Sequence, residues 1–288
     1  MGALKIDNNE TELLAKVLQE LTGVVIPPQK RYLFSQRLTP VVELYGLRDV
    51  ADLSKRVGTD PALRRAFIDA LTTHETSFFR DSHPFETLKR KLLPDILGGI
   101  AARQRQGAQP HAFTIWSAAC STGKEVYTLA MIVDEVLRKN PQWGVEPDRI
   151  RILGTDVSEM TLETARRGVY ATGEGLRGLP ADYQRRYMEE REDGFHVVKA
   201  LRKRCTFRQL DITRRFTMGP FDLVLCRNVL IYFDADTRVR SLERAHGTLA
   251  PGGVLLLGSS ENVDPSLGTR FETKTLGRTR YFVAKNFG

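Results

Sequence analysis

Arg227 and Asn228 are polar residues at the centre of a largely apolar run, Phe221-Asp-Leu-Val-Leu-Cys-Arg-Asn-Val-Leu-Ile-Tyr-Phe233, which follows the turn residues Gly219 and Pro220. A short apolar stretch ending on polar groups reads as a buried parallel strand meeting the next element. Open α/β sheets bind ligands at the carboxyl ends of their strands, so Arg227 and Asn228 are placed to face one. A core strand with a solvated turn would leave the same pattern.

Two further strand ends carry residues of this kind. Ser117-Ala-Ala-Cys-Ser-Thr-Gly-Lys-Glu125 lies between an expected strand at 113–116 and an expected helix from Gly123 to about Arg138. Small residues let a backbone approach a ligand closely, and free N–H groups at a helix start favour negative charge. The run is not a phosphate loop, because Glu125 follows Gly123-Lys124, and it is not G-x-G-x-x-G either. A tight turn without a ligand would use similar residues. Thr155-Asp156 ends a second expected strand at 150–154. A carboxylate there can accept both hydroxyls of a ribose, or it can cap the following helix. Asp211, after Phe207 and Leu210, is placed to face an adenine amino group at the rim of the same cleft. A small-residue loop, a ribose acid and an adenine-side acid suit an adenosine ligand without a pyrophosphate, and S-adenosylmethionine is such a ligand.

These residues need a sheet to hold them. Strands at 113–116, 150–154, 221–226 and 253–258 alternate with helices at about 123–138, 160–167 and 235–249, which predicts a parallel sheet with right-handed crossovers. Residues 170–209 interrupt the alternation with glycine-rich turns and a hairpin around Gly194, and read as an insertion with a few antiparallel strands. The first 70 residues read as helices. Leu13, Leu14, Val17, Leu18 and Leu21 recur at helical spacing up to Gly23, Pro27-Pro28 open a second helix, a short one lies near 49–57, and Asp60-Pro61 caps another through Leu71. Residues 84–100 form a linking helix, and 101–111 a surface loop. The expected division is a helical domain over 1–82, a linking helix and loop over 83–112, and an α/β domain over 113–288 with its insertion near 170–209.

Composition bounds the setting. The chain of 288 residues can bury one sizeable core and hold a second small domain. It has no run of 18 apolar residues, so no membrane insertion is expected, and residues 1–9 lack the pattern of a signal peptide. Cys120, Cys205 and Cys226 are odd in number and far apart, which implies neither a metal site nor a disulfide framework. A reducing cytoplasm is the simplest location. The net charge of +8 suggests an acidic partner. Residues 1–80 are nearly neutral, whereas 199–215 hold seven Lys/Arg against Asp211 alone. That patch is either a docking surface or a solvated face.

The chain resembles the chemotaxis-receptor methyltransferases, the CheR-type protein-glutamate O-methyltransferases. Four segments carry the likeness. Thr72-Thr-His-Glu-Thr-Ser-Phe-Phe-Arg-Asp81 resembles the family's T-T-N-x-T-x-F-F-R, and Trp116-Ser-Ala-Ala-Cys-Ser-Thr-Gly123 with Glu125 resembles W-S-A-x-x-S-x-G-E-E. Residues 221–233 match F-D-x-I-F-C-R-N-V-x-I-Y-F, and Gly258-Ser-Ser-Glu261 resembles G-x-S-E. The resemblance implies an α/β fold: a Rossmann-like S-adenosylmethionine-dependent methyltransferase domain with a small inserted β-subdomain, preceded by an all-helical N-terminal domain. It implies S-adenosyl-L-methionine as cofactor, S-adenosyl-L-homocysteine as product, and no metal. The implied acceptor is the glutamate-rich cytoplasmic signalling domain of chemoreceptors, with no nucleic acid. By motif position the cofactor contacts fall on His74, Thr76, Arg80, Glu125, Asp156, Asp211, Ile212, Asn228 and Val229. Arg80 carries the catalytic role, meeting the cofactor or the acceptor carboxylate. Two residues depart from the family pattern: His74 replaces an asparagine, and Lys124 replaces the first glutamate of a pair. They leave a regulatory module that binds cofactor without turnover as the alternative. A nucleic-acid methyltransferase is the weaker one, since Phe207 is the lone aromatic residue in the basic patch.

Overall fold

The structure, a computed structural model, describes residues 4, 6–108 and 112–285. Part of the expected 101–111 loop and parts of the 1–9 segment therefore lie outside the described residues. Four helices open the chain: α1 (Asn8–Thr22), α2 (Tyr32–Leu44), α3 (Val50–Val57) and α4 (Pro61–Leu71). Their starts follow capping chemistry. Asp7 and Glu10 form a reciprocal capping box on α1, and Asp49 and Asp60 accept from the first turns of α3 and α4. Gly23 ends α1 in the left-handed conformation. Pro28 opens a short 3₁₀ turn rather than α2 itself, which starts four residues later. Leu14, Leu18, Phe34, Leu38, Leu53 and Phe67 are the buried centre of this bundle.

Next come α5 (His83–Thr87), a single π turn (Leu88–Leu92) and α6 (Leu93–Arg105). Phe85, Leu88, Leu93 and Leu97 belong to the same core as the central sheet, so this stretch packs along its length against the α/β layer. The α/β part runs β1 (Phe113–Ala118), α7 (Lys124–Lys139), β2 (Ile150–Asp156), α8 (Glu159–Arg167), β3 (Val169–Tyr170), α9 (Ala181–Tyr187), β4 (Met188–Arg191), β5 (Gly194–Val197), α10 (Lys199–Arg202), β6 (Cys205–Gln209), β7 (Phe221–Cys226), α11 (Ala235–Gly247), β8 (Leu249–Leu257), β9 (Phe271–Leu276) and β10 (Thr279–Ala284).

Seven strands form the central sheet in the order β6-β2-β1-β7-β8-β10-β9. The pairs from β6 to β8 are parallel, and β10 and β9 close the far edge antiparallel. The chain leaves β1 toward β2 and β6, then returns on the other side of β1 with β7 and β8. Strand order thus reverses between β1 and β7, and the crevice outside their carboxyl ends is where such sheets bind ligands. Register brings those ends level: Ala118 pairs with Thr155 on one side and with Cys226 on the other.

The insertion is smaller than expected. Only β3, β4 and β5 form the separate three-stranded antiparallel sheet, with the predicted hairpin at Gly194. β6, expected inside the insertion, pairs in parallel with β2. It is an edge strand with mostly accessible residues, so its sequence lacks the apolar run that marks a buried strand. The β9–β10 hairpin likewise has no expected counterpart.

A charged cluster fastens the insertion to the sheet. Glu135 of α7 lies 2.9 Å from Lys89 Nζ and 2.6 Å from Lys139 Nζ, and accepts from the Tyr183 hydroxyl of α9. Burial alone would raise its pKa, but the hydrogen bonds from Lys139, Tyr183 and Lys89 outweigh burial and bring it down to about 2. A depressed carboxylate stabilises the fold above its unfolded value and loses that contribution as pH falls toward the folded one. Glu135→Gln should therefore lower stability at pH 7, with a gap from the parent that narrows as pH drops from about 4.5 toward about 2. Urea unfolding across that range measures it, and a pH-independent gap would refute the assignment.

Candidate functional site

The crevice at the strand reversal is a cavity that holds, with its open mouth, about 940 Å³ of empty space. Its walls include all nine residues marked from sequence, drawn from five separated segments: His74, Thr76 and Arg80; Glu125; Asp156; Asp211 and Ile212; Asn228 and Val229. The mixed polar and apolar lining is that of a small-molecule or cofactor site.

The floor is the β1–α7 turn. Ala119 and Ser121 both adopt positive φ, at 56° and 51°, and small side chains keep the backbone open there. Gly123, at φ 82°, leads into α7, and a Cβ on it would lie 2.7 Å from the Ala165 Cβ. Gly154 is equally tight, between Phe207, Val126 and Cys120. Cys120 is buried, and burial holds its thiol well above the usual range, so it serves as packing.

Asp156 sits at the end of β2, almost fully buried. Its Oδ2 accepts from Ser121 N at 2.8 Å and its Oδ1 from Ser158 N at 3.0 Å. Burial raises its pKa despite these bonds. The helix cap itself is Ser158. Each carboxylate oxygen of Asp156 keeps acceptor capacity beyond its one N–H bond, and a ligand with vicinal hydroxyls would supply the missing donors.

Three residues are arranged differently from the sequence expectation. The Asp211 carboxylate is taken up by its own turn, accepting from Thr213 N at 2.8 Å, Thr213 Oγ1 at 2.6 Å and Arg214 Nε at 3.1 Å. Asp211 and Ile212 both line the cavity. Arg227 lines it as well, and its side chain, with no exposed surface, is at the same time a hub. It donates to Glu125 at 2.8 Å, to Asp81 at 2.9 Å and to the Arg80 carbonyl at 3.0 Å, above the Phe85 ring. Lys124 turns away from the cavity. It donates to the Glu174 carbonyl at 3.1 Å and lies 5.9 Å from the ring centroids of both Phe78 and Tyr170, with burial lowering its pKa. Lys124 thus adds no charge to the cavity wall.

Glu125 is held between Arg227 and the Ser117 hydroxyl, 2.8 Å away. His74 Nε2 lies 2.9 Å from the Asp69 carbonyl, so that nitrogen carries a proton, and the His74 carbonyl accepts from Ser121 Oγ at 3.0 Å. Arg80 donates to the Glu75 carbonyl at 2.8 Å, while Phe79, Asp81 and Ser82 around it all have positive φ. Non-glycine residues in that region are strained and persist where their surroundings over-determine them. Here the surroundings are Arg227, the Thr128 hydroxyl on Phe79 N, and Phe78 packed at zero exposure.

The helical domain closes one side with Thr22 and Val24, which no sequence signal marked. They arrive because Val24 bridges to Phe233 and Val25 N donates to the Tyr232 carbonyl. Thr72, Ser121, Leu210 and Tyr232 are also among the lining. The basic patch over 199–215 is less free than its composition suggests. Arg204 is buried on Asp134 at 3.1 Å, Arg202 donates to the Arg167 carbonyl, and Arg214 is on Asp211. No group of His, Cys, Asp or Glu able to hold a metal occurs among the described residues.

Comparison with known proteins agrees in two parts. Residues 9–72 match the all-alpha domain of CheR methyltransferases, and residues 74–280 match their SAM-binding domain. Chemotaxis protein methyltransferase 1 of Pseudomonas aeruginosa is 40% identical over 257 residues, covering 88% of this chain and 90% of that protein. Chemotaxis protein methyltransferase 1 of Vibrio cholerae is 38% identical over 276 residues, covering 94% and 95%.

Proposed function

Because the chain belongs to the CheR methyltransferase family, we propose that it methylates glutamate side chains on the signalling domains of chemoreceptors. S-adenosylmethionine-dependent methyl transfer in chemotaxis is its activity, and chemoreceptors in general are its substrates. Glutamate as the acceptor, the glutamate-rich cytoplasmic signalling domain as the partner, and the roles of individual residues are the proposed refinement. So are the cytoplasmic setting and the division at 1–82, 83–112 and 113–288. No helix among the described residues is long and apolar enough to cross a membrane.

One observation carries the residue roles: nine residues from five segments meet on a single cavity at the strand reversal. The site suits the cofactor chemically. Asp156 offers a buried carboxylate with spare acceptor capacity for ribose hydroxyls. The small turn at 119–123 leaves room for a backbone contact, and Leu210, Ile212 and the Asp211 backbone form an apolar edge for adenine. When bound, S-adenosylmethionine supplies a methyl group activated by its sulfonium. A glutamate carboxylate is already ionised at neutral pH, so the chain needs no general base. Arg80 orients that carboxylate for in-line attack, Asn228 and Val229 line the transfer end, and the closing segments 22–24 and 72–76 exclude water.

The test is incubation with methyl-labelled S-adenosylmethionine and a panel of receptor signalling fragments, followed by mapping of base-labile methyl esters. Label on a glutamate supports the proposal, and label confined to other residue types refutes it. In the same preparation, Asp156→Ala should weaken S-adenosylhomocysteine binding by about 1–3 kcal/mol, the worth of charged hydrogen bonds. Unchanged calorimetric affinity would remove the ribose role.

A further inference from the structure

We propose that Glu261 is a positioning residue of this site, one whose carboxylate holds the backbone that aims Asn228 and Val229 into the cavity. The inference rests on the cofactor-facing roles proposed for those two residues. Glu261 itself stands behind the cavity wall. Its Oε2 accepts from Asn228 N at 2.8 Å and from Gly258 N at 2.7 Å, and its Oε1 accepts from Val229 N at 2.9 Å and Leu230 N at 2.8 Å. Ile231 N is further off at 3.4 Å.

Successive backbone N–H groups at the start of a helical turn make a concavity that favours an anion. Here the chain fills it with its own carboxylate, reached across 33 residues of sequence. Register makes this possible. Cys226 and Leu257 are neighbours on the parallel strands β7 and β8, so the two turns that follow them emerge side by side. Gly258 leaves the passage open, since a Cβ on it would lie 2.5 Å from Glu261 Oε2 and 2.9 Å from Asn228 N.

Asn228 has φ 59°, a conformation that side chains rarely adopt. Glu261 binds the amide of Asn228 and the amide after it, and so brackets the strained residue. Without the carboxylate, Asn228 can relax to negative φ, which swings its side chain away from the cavity. Glutamine keeps the shape of Glu261 but turns an NH₂ group toward backbone N–H donors, leaving part of the set unpaired.

The experiment is a double-mutant cycle read by calorimetry with S-adenosylhomocysteine. Glu261→Gln and Asn228→Ala should each weaken binding about tenfold or more. The double variant should be weakened by clearly less than the product of the two single losses, because Glu261 acts largely through Asn228 and only the share through Val229 persists in that background. A merely structural role would give the full Glu261→Gln loss in the Asn228→Ala background as well. Losses that multiply, or a Glu261→Gln protein with full affinity, overturn the inference. Should Glu261→Gln unfold, Glu261→Asp replaces it in the cycle, since the shorter side chain cannot reach the whole set of N–H groups, and the same outcomes decide. A parent protein without affinity for S-adenosylhomocysteine overturns the cofactor site and the inference together, whereas multiplying losses overturn the inference alone.

Discussion

Arg227→Met should lower the unfolding free energy by about 3 kcal/mol, because it leaves the largely covered Glu125 carboxylate, and the more accessible Asp81, without their buried partner. The guanidinium has no exposed surface and is bonded to Glu125, Asp81 and the Arg80 carbonyl at once. Methionine fills much of the volume and keeps contact with Phe85, so the loss reports on charge rather than on a cavity. The Glu125 side chain is 13% exposed and that of Asp81 is 30% exposed, so water can compensate Asp81 better. Removing Glu125 as well should recover part of the loss. Urea denaturation of the single variant and of Arg227→Met with Glu125→Gln gives both numbers. A loss under about 1 kcal/mol in the single variant would place Arg227 among ordinary surface pairs.

Arg80→Ala should cut methyl transfer by about a hundredfold or more, the cost of losing one oriented charge at the reacting groups, while S-adenosylhomocysteine affinity changes much less. Among the described residues the Arg80 guanidinium donates to the Glu75 carbonyl alone, so it retains donors for a carboxylate. Phe78 and Phe79 hold the segment whether or not the arginine is present. Phe78 is fully buried, and Phe79 packs edge-on against Phe85 and Tyr183. The variant should therefore fold normally. The turnover number and the calorimetric affinity together decide, and equal losses in both would assign Arg80 to cofactor binding instead.

Strands β1 and β7 were legible because they are buried on both faces and mostly apolar, and β2 because Ile150, Ile152 and Leu153 remain apolar around the exposed Arg151. Their polar ends then marked Asp156 and Asn228 directly. β6 escaped because an edge strand keeps polar residues. Asp211 was located, but the hold of Thr213 and Arg214, two and three residues on, upon its carboxylate was not, since nothing at the level of residue type separates a turn acid from a ligand acid. Lys124 at the start of α7 looked electrostatically awkward on that element alone. The structure resolves it with partners from elsewhere: the Glu174 carbonyl and the rings of Phe78 and Tyr170. The ion partners of Arg227 escaped for the same reason, as its carboxylates come from residues more than a hundred positions away. Long-range pairing is what a single sequence leaves out.

The seam between Thr22, Val24 and the segment at 228–234 has a consequence for how the protein is made. Gln19 meets Asp234 across 215 residues of chain. A ribosome releases the helical domain first, and domains generally fold as they emerge. One wall of the cavity is therefore finished long before the opposite wall has been translated. No cofactor can be captured by the nascent chain until β7 and the turn after it have joined the sheet. The ligand consequently acts as a check on a contact made late in synthesis: it adds stability only to chains whose segments at 22–24 and 228–233 have met.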